Sequence, residues 1–350
     1  MKLAVISAGL LWKRAGGSAL LVLLGLWHGA WADELMLSDG SRLLGEAVSK
    51  SDGTLKFKTS FAGTIDVSWD QVAELRTDEP TTVLLRDKEV VLAREIRRTD
   101  QGATVVTEPG APPRELAKAE IAFIKPEPWR LGERIKFTGT VNVGLTRESG
   151  NTDKDEIDMD GKATLRRLND RLQLFGEWQK ENNGGSRTKN KWKLSGNYNY
   201  FYAPQWFYGG VLRFERDQFA DLRLRTSVGP LIGHQFFETD ELNLSFSGGP
   251  LYVNENFHAA EDDDYWAASW EIHYDQYLFS RLFQLYHDQT GSWSMSDTSN
   301  LVWNTWSGIR VPVYRGVAIT AEVQSEYNGT APSGTDELDM TYWTKLGYGW

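Results

Sequence analysis

Met340-Thr341-Tyr342-Trp343-Thr344-Lys345-Leu346-Gly347-Tyr348-Gly349-Trp350 decides how this chain is read. Strand side chains alternate between faces. Met340, Tyr342, Thr344, Leu346, Tyr348 and Trp350 therefore share one side, and Thr341, Trp343, Lys345, Gly347 and Gly349 the other. The first side is apolar and aromatic; the second is mainly small or polar. A soluble sheet seldom ends this way, because termini are usually polar and frayed. A strand that closes a membrane barrel has reason to, since unpaired backbone in lipid costs several kcal/mol per group. An aromatic last residue also suits recognition by barrel-assembly machinery through this strand.

The 350 residues allow one large unit or two. A mean hydropathy of −0.44 does not exclude a membrane location, because a barrel alternates lipid-facing and lumen-facing residues. The 15 Trp and 13 Tyr, mostly beyond residue 128, suit aromatic girdles at two membrane interfaces. No Cys is present, so there is neither a disulfide framework nor a thiolate metal site. The net charge of −10 falls to −13 without Lys2, Lys13 and Arg14, which argues against nucleic acid as a partner.

Residues 1–32 read as a signal peptide, with those three cations, an apolar stretch from Ala19 to Trp27 and the small-x-small site Ala30-Trp31-Ala32. Residues 33–125 hold short β-like runs broken by turns such as Ser38-Asp39-Gly40-Ser41 and Ser51-Asp52-Gly53. Leu37, Asp39, Leu43, Gly53, Val72 and Leu75 are echoed 48 or 49 positions later by Leu85, Asp87, Val91, Gly102, Ile121 and Ile124. A duplicated small β-module is expected, lying in the periplasm as an adaptor for a protein or peptidoglycan partner, or as a plug or spacer. Residues 126–133, containing Pro126-Glu127-Pro128, form a stiff linker.

From residue 134 to 350 the period of two recurs in twelve runs: 134–147, 154–168, 170–182, 188–202, 206–217, 222–237, 241–255, 264–277, 281–293, 300–312, 316–327 and 337–350. In the fourth, Trp192, Leu194, Tyr198, Tyr200 and Tyr202 oppose Lys191, Lys193, Ser195, Asn197 and Asn199. Connections at 148–153, 183–187, 256–263, 294–299 and 328–336 are longer and polar. Those at 169, 203–205, 238–240, 278–280 and 313–315 are tight, and 218–221 is a short exception among the outer loops. Long outer loops, short periplasmic turns and an even strand count describe an all-β, twelve-stranded antiparallel transmembrane barrel in the bacterial outer membrane. Outer-membrane lipid is then its principal environment.

The alternation directs Asp158, Asp160, Lys162, Arg166, Glu177, Lys191, Lys193, Arg213, Glu215, Arg223, Arg225, Glu271 and Asp275 inward. Acidic and basic rows on neighbouring strands set a transverse field and select ions or small charged solutes. Alternatively they lock into ion pairs that fill the lumen of a structural, envelope-stress barrel.

A hydrolase is the less favoured class. Ser269, Glu271, His273 and Asp275 share the inward face of the eighth run. Neighbours on one side of a strand are ~7 Å apart, beyond hydrogen-bond reach, so a triad needs partners from adjacent strands. The row reads as ordinary polar lumen. Catalysis on the lipid-facing wall needs an outward Ser and His, and the sequence sets no Ser beside His234 or His287. His258, Glu261, Asp262, Asp263 and Asp264 lack the spaced order of a calcium loop. Asn183-Gly184-Gly185 lacks the Lys-Thr of a phosphate loop. No cofactor or metal is expected.

Gly144 followed by Ser149-Gly150-Asn151-Thr152-Asp153, the aromatic strand from Tyr198 to Tyr202, the Arg213 to Arg225 region and the aromatic C-terminus resemble the salt-induced outer-membrane protein family, YdiY-like, a domain of unknown function. The resemblance spans about 134–350. It implies an outer-membrane barrel and carries no agreed activity, ligand or functional residues. Residues 33–125 lie outside it.

Overall fold

Alternating apolar and polar side chains leave a strand with one greasy face and one wet face, and a sheet built of such strands removes its unpaired edges in lipid only by closing on itself. In a computed structural model, which describes residues 32–51, 53–99, 104–148, 153–330 and 336–350, the sheet closes. The leader expected over 1–32 lies outside the described residues except for Ala32. So do Asp52, Gly102, Ser149 to Thr152, and residues 331–335.

The N-terminal domain comprises β1 (Asp33–Leu37), β2 (Arg42–Ser51), β3 (Thr54–Thr59), β4 (Gly63–Ser68), β5 (Val72–Leu85), β6 (Val90–Arg98), β7 (Thr104–Thr107), β8 (Arg114–Leu116) and β9 (Ile121–Ile124). Its two halves share one element order. In each, a turn opens a hairpin, with Leu37 N–H donating to Ser41 O and Leu85 N–H to Glu89 O, both at 2.9 Å. In each, a 3₁₀ turn (Trp69–Gln71, Lys118–Glu120) leads into a strand that pairs back on the first. Leu35 thus faces Leu75 in β5, as Val83 faces Ile124 in β9. The long β5 serves both halves, so Leu35, Phe57, Leu75, Val83, Ile121 and Ile124 bury into one shared core.

The barrel is β10 (Lys136–Glu148), β11 (Lys154–Arg166), β12 (Asp170–Asn183), β13 (Ser186–Phe201), β14 (Trp206–Asp217), β15 (Leu222–Glu238), β16 (Leu242–Phe257), β17 (Asp263–Leu278), β18 (Phe283–Ser294), β19 (Leu301–Tyr314), β20 (Val317–Asn328) and β21 (Leu338–Gly349). Each pairs antiparallel with its sequence neighbours, and their ends lie within two residues of those read from the alternation. Leu145 and Tyr342 are each 71% exposed on the outer wall, so the apolar face meets a solvent rather than a second sheet. Tyr200 with Tyr208 and Phe137 with Trp350 belong to one aromatic girdle; Tyr252 with Trp266 and Trp303 with Tyr327 belong to the other. This is a transmembrane β-barrel.

The terminal strand closes it. β21 pairs with β10 from Gly144↔Lys345 to Thr140↔Gly349, and Gly139 and Trp350 exchange both backbone hydrogen bonds at 3.1 Å. The seam requires glycine at 139: a Cβ there would meet the Trp350 indole at 2.3 Å and Lys162 O at 2.7 Å. We expect Gly139→Ala to lower barrel stability by about 1–3 kcal/mol, read as a lower urea midpoint in detergent. An unchanged midpoint would remove that contact from the closure.

The N-terminal domain sits at the mouth where the barrel strands begin and end, here called the near mouth. Lys56 Nζ reaches Glu241 Oε1 at 2.9 Å, and Lys88 Nζ reaches Asn169 Oδ1 at 3.0 Å, both on tight barrel turns. Burial pulls the Lys56 pKa down, but its hydrogen bonds to Glu241 and Asp66 outweigh that and raise it. The ammonium therefore stays charged in the contact.

Candidate functional site

Twelve strands enclose room for both side chains and solvent, and the lumen is divided along its length. One side, toward β10–β12 and β19–β21, is filled. Lys345 is 1% exposed; its ammonium pairs with Asp158, with Asp160 Oδ1 at 2.7 Å and with Glu322 Oε1 at 2.8 Å. Around it Gln179 Nε2 donates to Gln324 Oε1 at 2.7 Å, Gln324 Nε2 to Glu177 Oε1 at 2.9 Å, and Trp306 Nε1 to the same Glu177 oxygen at 3.1 Å. Trp343 also faces inward and is buried within this network, donating to Gln324 Oε1 at 3.3 Å. β12 and β19 are five strands apart round the shorter arc, so these bonds cross the barrel. Charged groups in such a low-dielectric interior are tolerated because they are hydrogen-bonded, Glu177 by two glutamines and an indole and the others by ion-pair partners as well.

Beside this network lies a cavity of about 660 Å³, lined by residues of all twelve strands and reaching furthest from the near mouth along β15–β19. It touches Trp129, Lys136 and Gly349 at the near mouth, and Tyr265, Ser292 and Val302 by the outer ends of β17, β18 and β19. It therefore runs nearly the length of the barrel. Small residues on β15 and β16, among them Ser227, Ser245 and Ser247, leave the space.

Most of the predicted lumenal residues point inward, and most are tied down. Asp158, Asp160 and Glu177 belong to the filled side. Lys191 and Lys193 both pair with Glu326, five strands away, and Lys193 Nζ also donates to Asn304 Oδ1 at 2.7 Å. Lys162 spans the full width to Asp288 Oδ1 at 2.9 Å and His273 Nδ1 at 2.9 Å. Arg213 pairs with Glu271, Arg225 with Glu215 at 2.9 Å and Glu255 at 2.5 Å, and Arg166 holds both oxygens of Glu238 at 2.8 and 3.0 Å.

Three expectations are corrected. Arg223 does not line the lumen: a register shift between Leu222 and Leu224 turns it to the outer rim, where it faces Asn256 Oδ1 at 3.4 Å and Asp262 Oδ2 at 3.8 Å. Asp275, two residues from His273 on the same face, nonetheless reaches His273 Nε2 at 3.0 Å, because ~7 Å separates Cα atoms and the side-chain tips lean together. Finally, an outward Ser does stand beside His287: Ser307 on β19 lies opposite it, with Oγ 2.7 Å from Nδ1.

Neither row links a serine, a histidine and a carboxylate in one hydrogen-bonded chain among the described residues. Ser269 Oγ donates to Gly249 O at 2.9 Å, away from His273, which is held between Asp288 and Asp275. Ser307 and His287 form a nucleophile–base contact, but both lie in unbroken register, with backbone committed to the β18–β19 and β19–β20 ladders. A backbone oxyanion hole needs free amides.

At the near mouth the linker enters the barrel. The 3₁₀ turn Pro128–Leu131 presents Trp129, 4% exposed, to the cavity. Its Nε1 donates to Glu127 Oε2 at 2.7 Å, and the Arg130 and Arg166 guanidiniums lie 4.3 and 4.8 Å from its ring centroid. Arg130 Nη2 donates to Glu238 O at 2.8 Å, so the turn is fastened to the rim.

The family model described as "Protein of unknown function, DUF481" matches residues 141–350. The chain belongs to this family. None of the curated proteins matches it. Among solved structures, the NanC porin aligns with a TM-score of 0.39 and 12% identity, covering 60% of this chain and 97% of its own. The translocator domain of autotransporter NalP from Neisseria meningitidis gives 0.34 and 12%, covering 62% and 87%. The CymD monoaromatic hydrocarbon channel gives 0.28 and 7%, covering 63% and 89%. These likenesses concern the fold alone.

In this DUF481 barrel the residues missed by sequence reasoning are mainly partners. Glu322, Glu326 and Lys345 were legible as inward by alternation, yet nothing local says that they meet Asp158 or Lys193. Trp129 carried no signal, because an aromatic beside two prolines reads as linker.

Proposed function

We propose that this barrel lies in the bacterial outer membrane, with its N-terminal domain in the periplasm, and acts as a narrow channel for small charged solutes. The cavity that runs from the near mouth almost to the outer rim carries this reading. Its walls set charged and polar side chains among apolar ones such as Phe207, Leu251 and Val253, and the polar groups substitute in part for the hydration shell of a passing solute. The filled side acts as a strut that holds the path narrow, and the linker Trp129 stands at its periplasmic entrance. Outer-membrane lipid surrounds the aromatic girdles, and assembly machinery engages the closing strand.

Single-channel recording of the purified full chain in a planar bilayer tests the proposal: discrete, small conductance steps are expected. A membrane that stays silent with folded barrel inserted would overturn it. The cross-lumen ion pairs would then favour the second reading, a structural barrel whose periplasmic domain holds a protein or peptidoglycan partner.

A further inference from the structure

The charges along the cavity are not equally compensated. Lys162, Lys193, Arg213, Arg225 and Arg166 each have a carboxylate within ion-pair distance. Arg171 and Arg310 have none among the described residues. Arg171, 3% exposed, donates from Nη1 to the neutral Gln235 Oε1 at 2.6 Å. With the Asn199 amide turned to accept, it also meets that oxygen at 3.1 and 3.3 Å. Phe201 and Phe207 pack beside it, with ring centroids 5.4 and 5.2 Å away. Arg310 donates to the neutral Gln284 Oε1 at 2.8 Å and lies 5.0 Å from the Tyr286 ring centroid.

These guanidiniums stand on β12 and β19, five strands apart round the shorter arc, and both line the near half of the same cavity. Guanidinium cannot shed its proton to escape burial. A charge whose hydrogen-bond partners are all neutral amides, whether buried as at Arg171 or half-buried as at Arg310, draws its counter-ion from solution. The fork of Arg matches the two oxygens of a carboxylate. Gln173 and Thr164 on the same cavity wall offer an amide and a hydroxyl to a solute's own hydroxyls.

We infer that the near half of the lumen is an anion site that takes small hydroxylated carboxylates through Arg171 and Arg310, making the barrel anion-selective although the chain as a whole is acidic. The selectivity half of this inference rests on the channel reading; the binding half does not.

Two measurements on the full chain keep them apart. Isothermal titration of the detergent-solubilised barrel with sodium gluconate should show binding. It should weaken about tenfold in Arg310→Gln and further in Arg171→Gln/Arg310→Gln, as loss of a charge-assisted hydrogen bond implies. Reversal potentials under a KCl gradient should favour chloride in the wild type and lose that preference in the double variant. An unboiled electrophoretic shift reports that each variant is folded, and Arg310→Gln alone suffices should the double variant fail. Absence of gluconate binding by the wild type, or binding indifferent to Arg310→Gln, overturns the site. Cation-selective currents overturn the selectivity. Silence in the bilayer with gluconate binding intact overturns the channel and leaves the site standing.

Discussion

Lys345→Met should prevent the barrel from reaching its compact, heat-resistant form in detergent. The Lys345 ammonium is the common counter-ion of Asp158, Asp160 and Glu322, at a place with no solvent access to its side chain. Removing one partner from a buried ion cluster costs about 3–5 kcal/mol, because the remaining charges stay desolvated and now repel each other. That is a large part of the stability of an ordinary domain. The methionine has similar length, so lost volume would not explain the effect. A companion carrying Asp158→Asn, Asp160→Asn and Glu322→Gln together with Lys345→Met should recover much of the loss, since neutral amides can hydrogen-bond to one another. The electrophoretic shift on boiling and the urea midpoint of Trp fluorescence read both outcomes. Lys345→Met with a wild-type midpoint would show that the cluster does not hold the lumen together.

Trp129→Gly should raise single-channel conductance about two- to fivefold, since flow through a narrow pore is limited by its tightest constriction. The indole is fastened rather than loosely placed: Glu127 accepts from its Nε1, while the guanidiniums of Arg130 and Arg166 lie against its ring. Its removal clears the near mouth and takes from the barrel wall only the ring contact of Arg166, which keeps its two bonds to Glu238, so the barrel's own stability should change little. Arg130→Ala should act in the same direction and more weakly, because it releases the tie to Glu238 O while leaving the indole in place. If conductance is unaffected by Trp129→Gly while the barrel conducts, the solute path bypasses the linker.

Much of the fold was legible along the chain, because a strand between lipid and water must alternate and a hairpin must turn. Both are local requirements. They gave the twelve strands, the tight and open ends, the closing role of the last strand and the inward direction of residues such as Lys162 and Glu271.

Only the closed barrel decided who meets whom inside it. Lys193 and Glu326 are 133 positions apart, and Lys345 and Asp160 185; their meeting depends on strand stagger and curvature, which a period of two does not encode. One displaced residue at the start of β15 carried Arg223 out to the rim. The register of β18 against β19 brought Ser307 to His287, although twenty residues separate them. The sequence alone therefore settled which side chains face water and which face lipid, because facing is a property of one strand. Which charges were cancelled, and which two arginines of the cavity wall were left without a carboxylate among the described residues, was decided by the tertiary structure, because pairing across a lumen is a property of the whole ring.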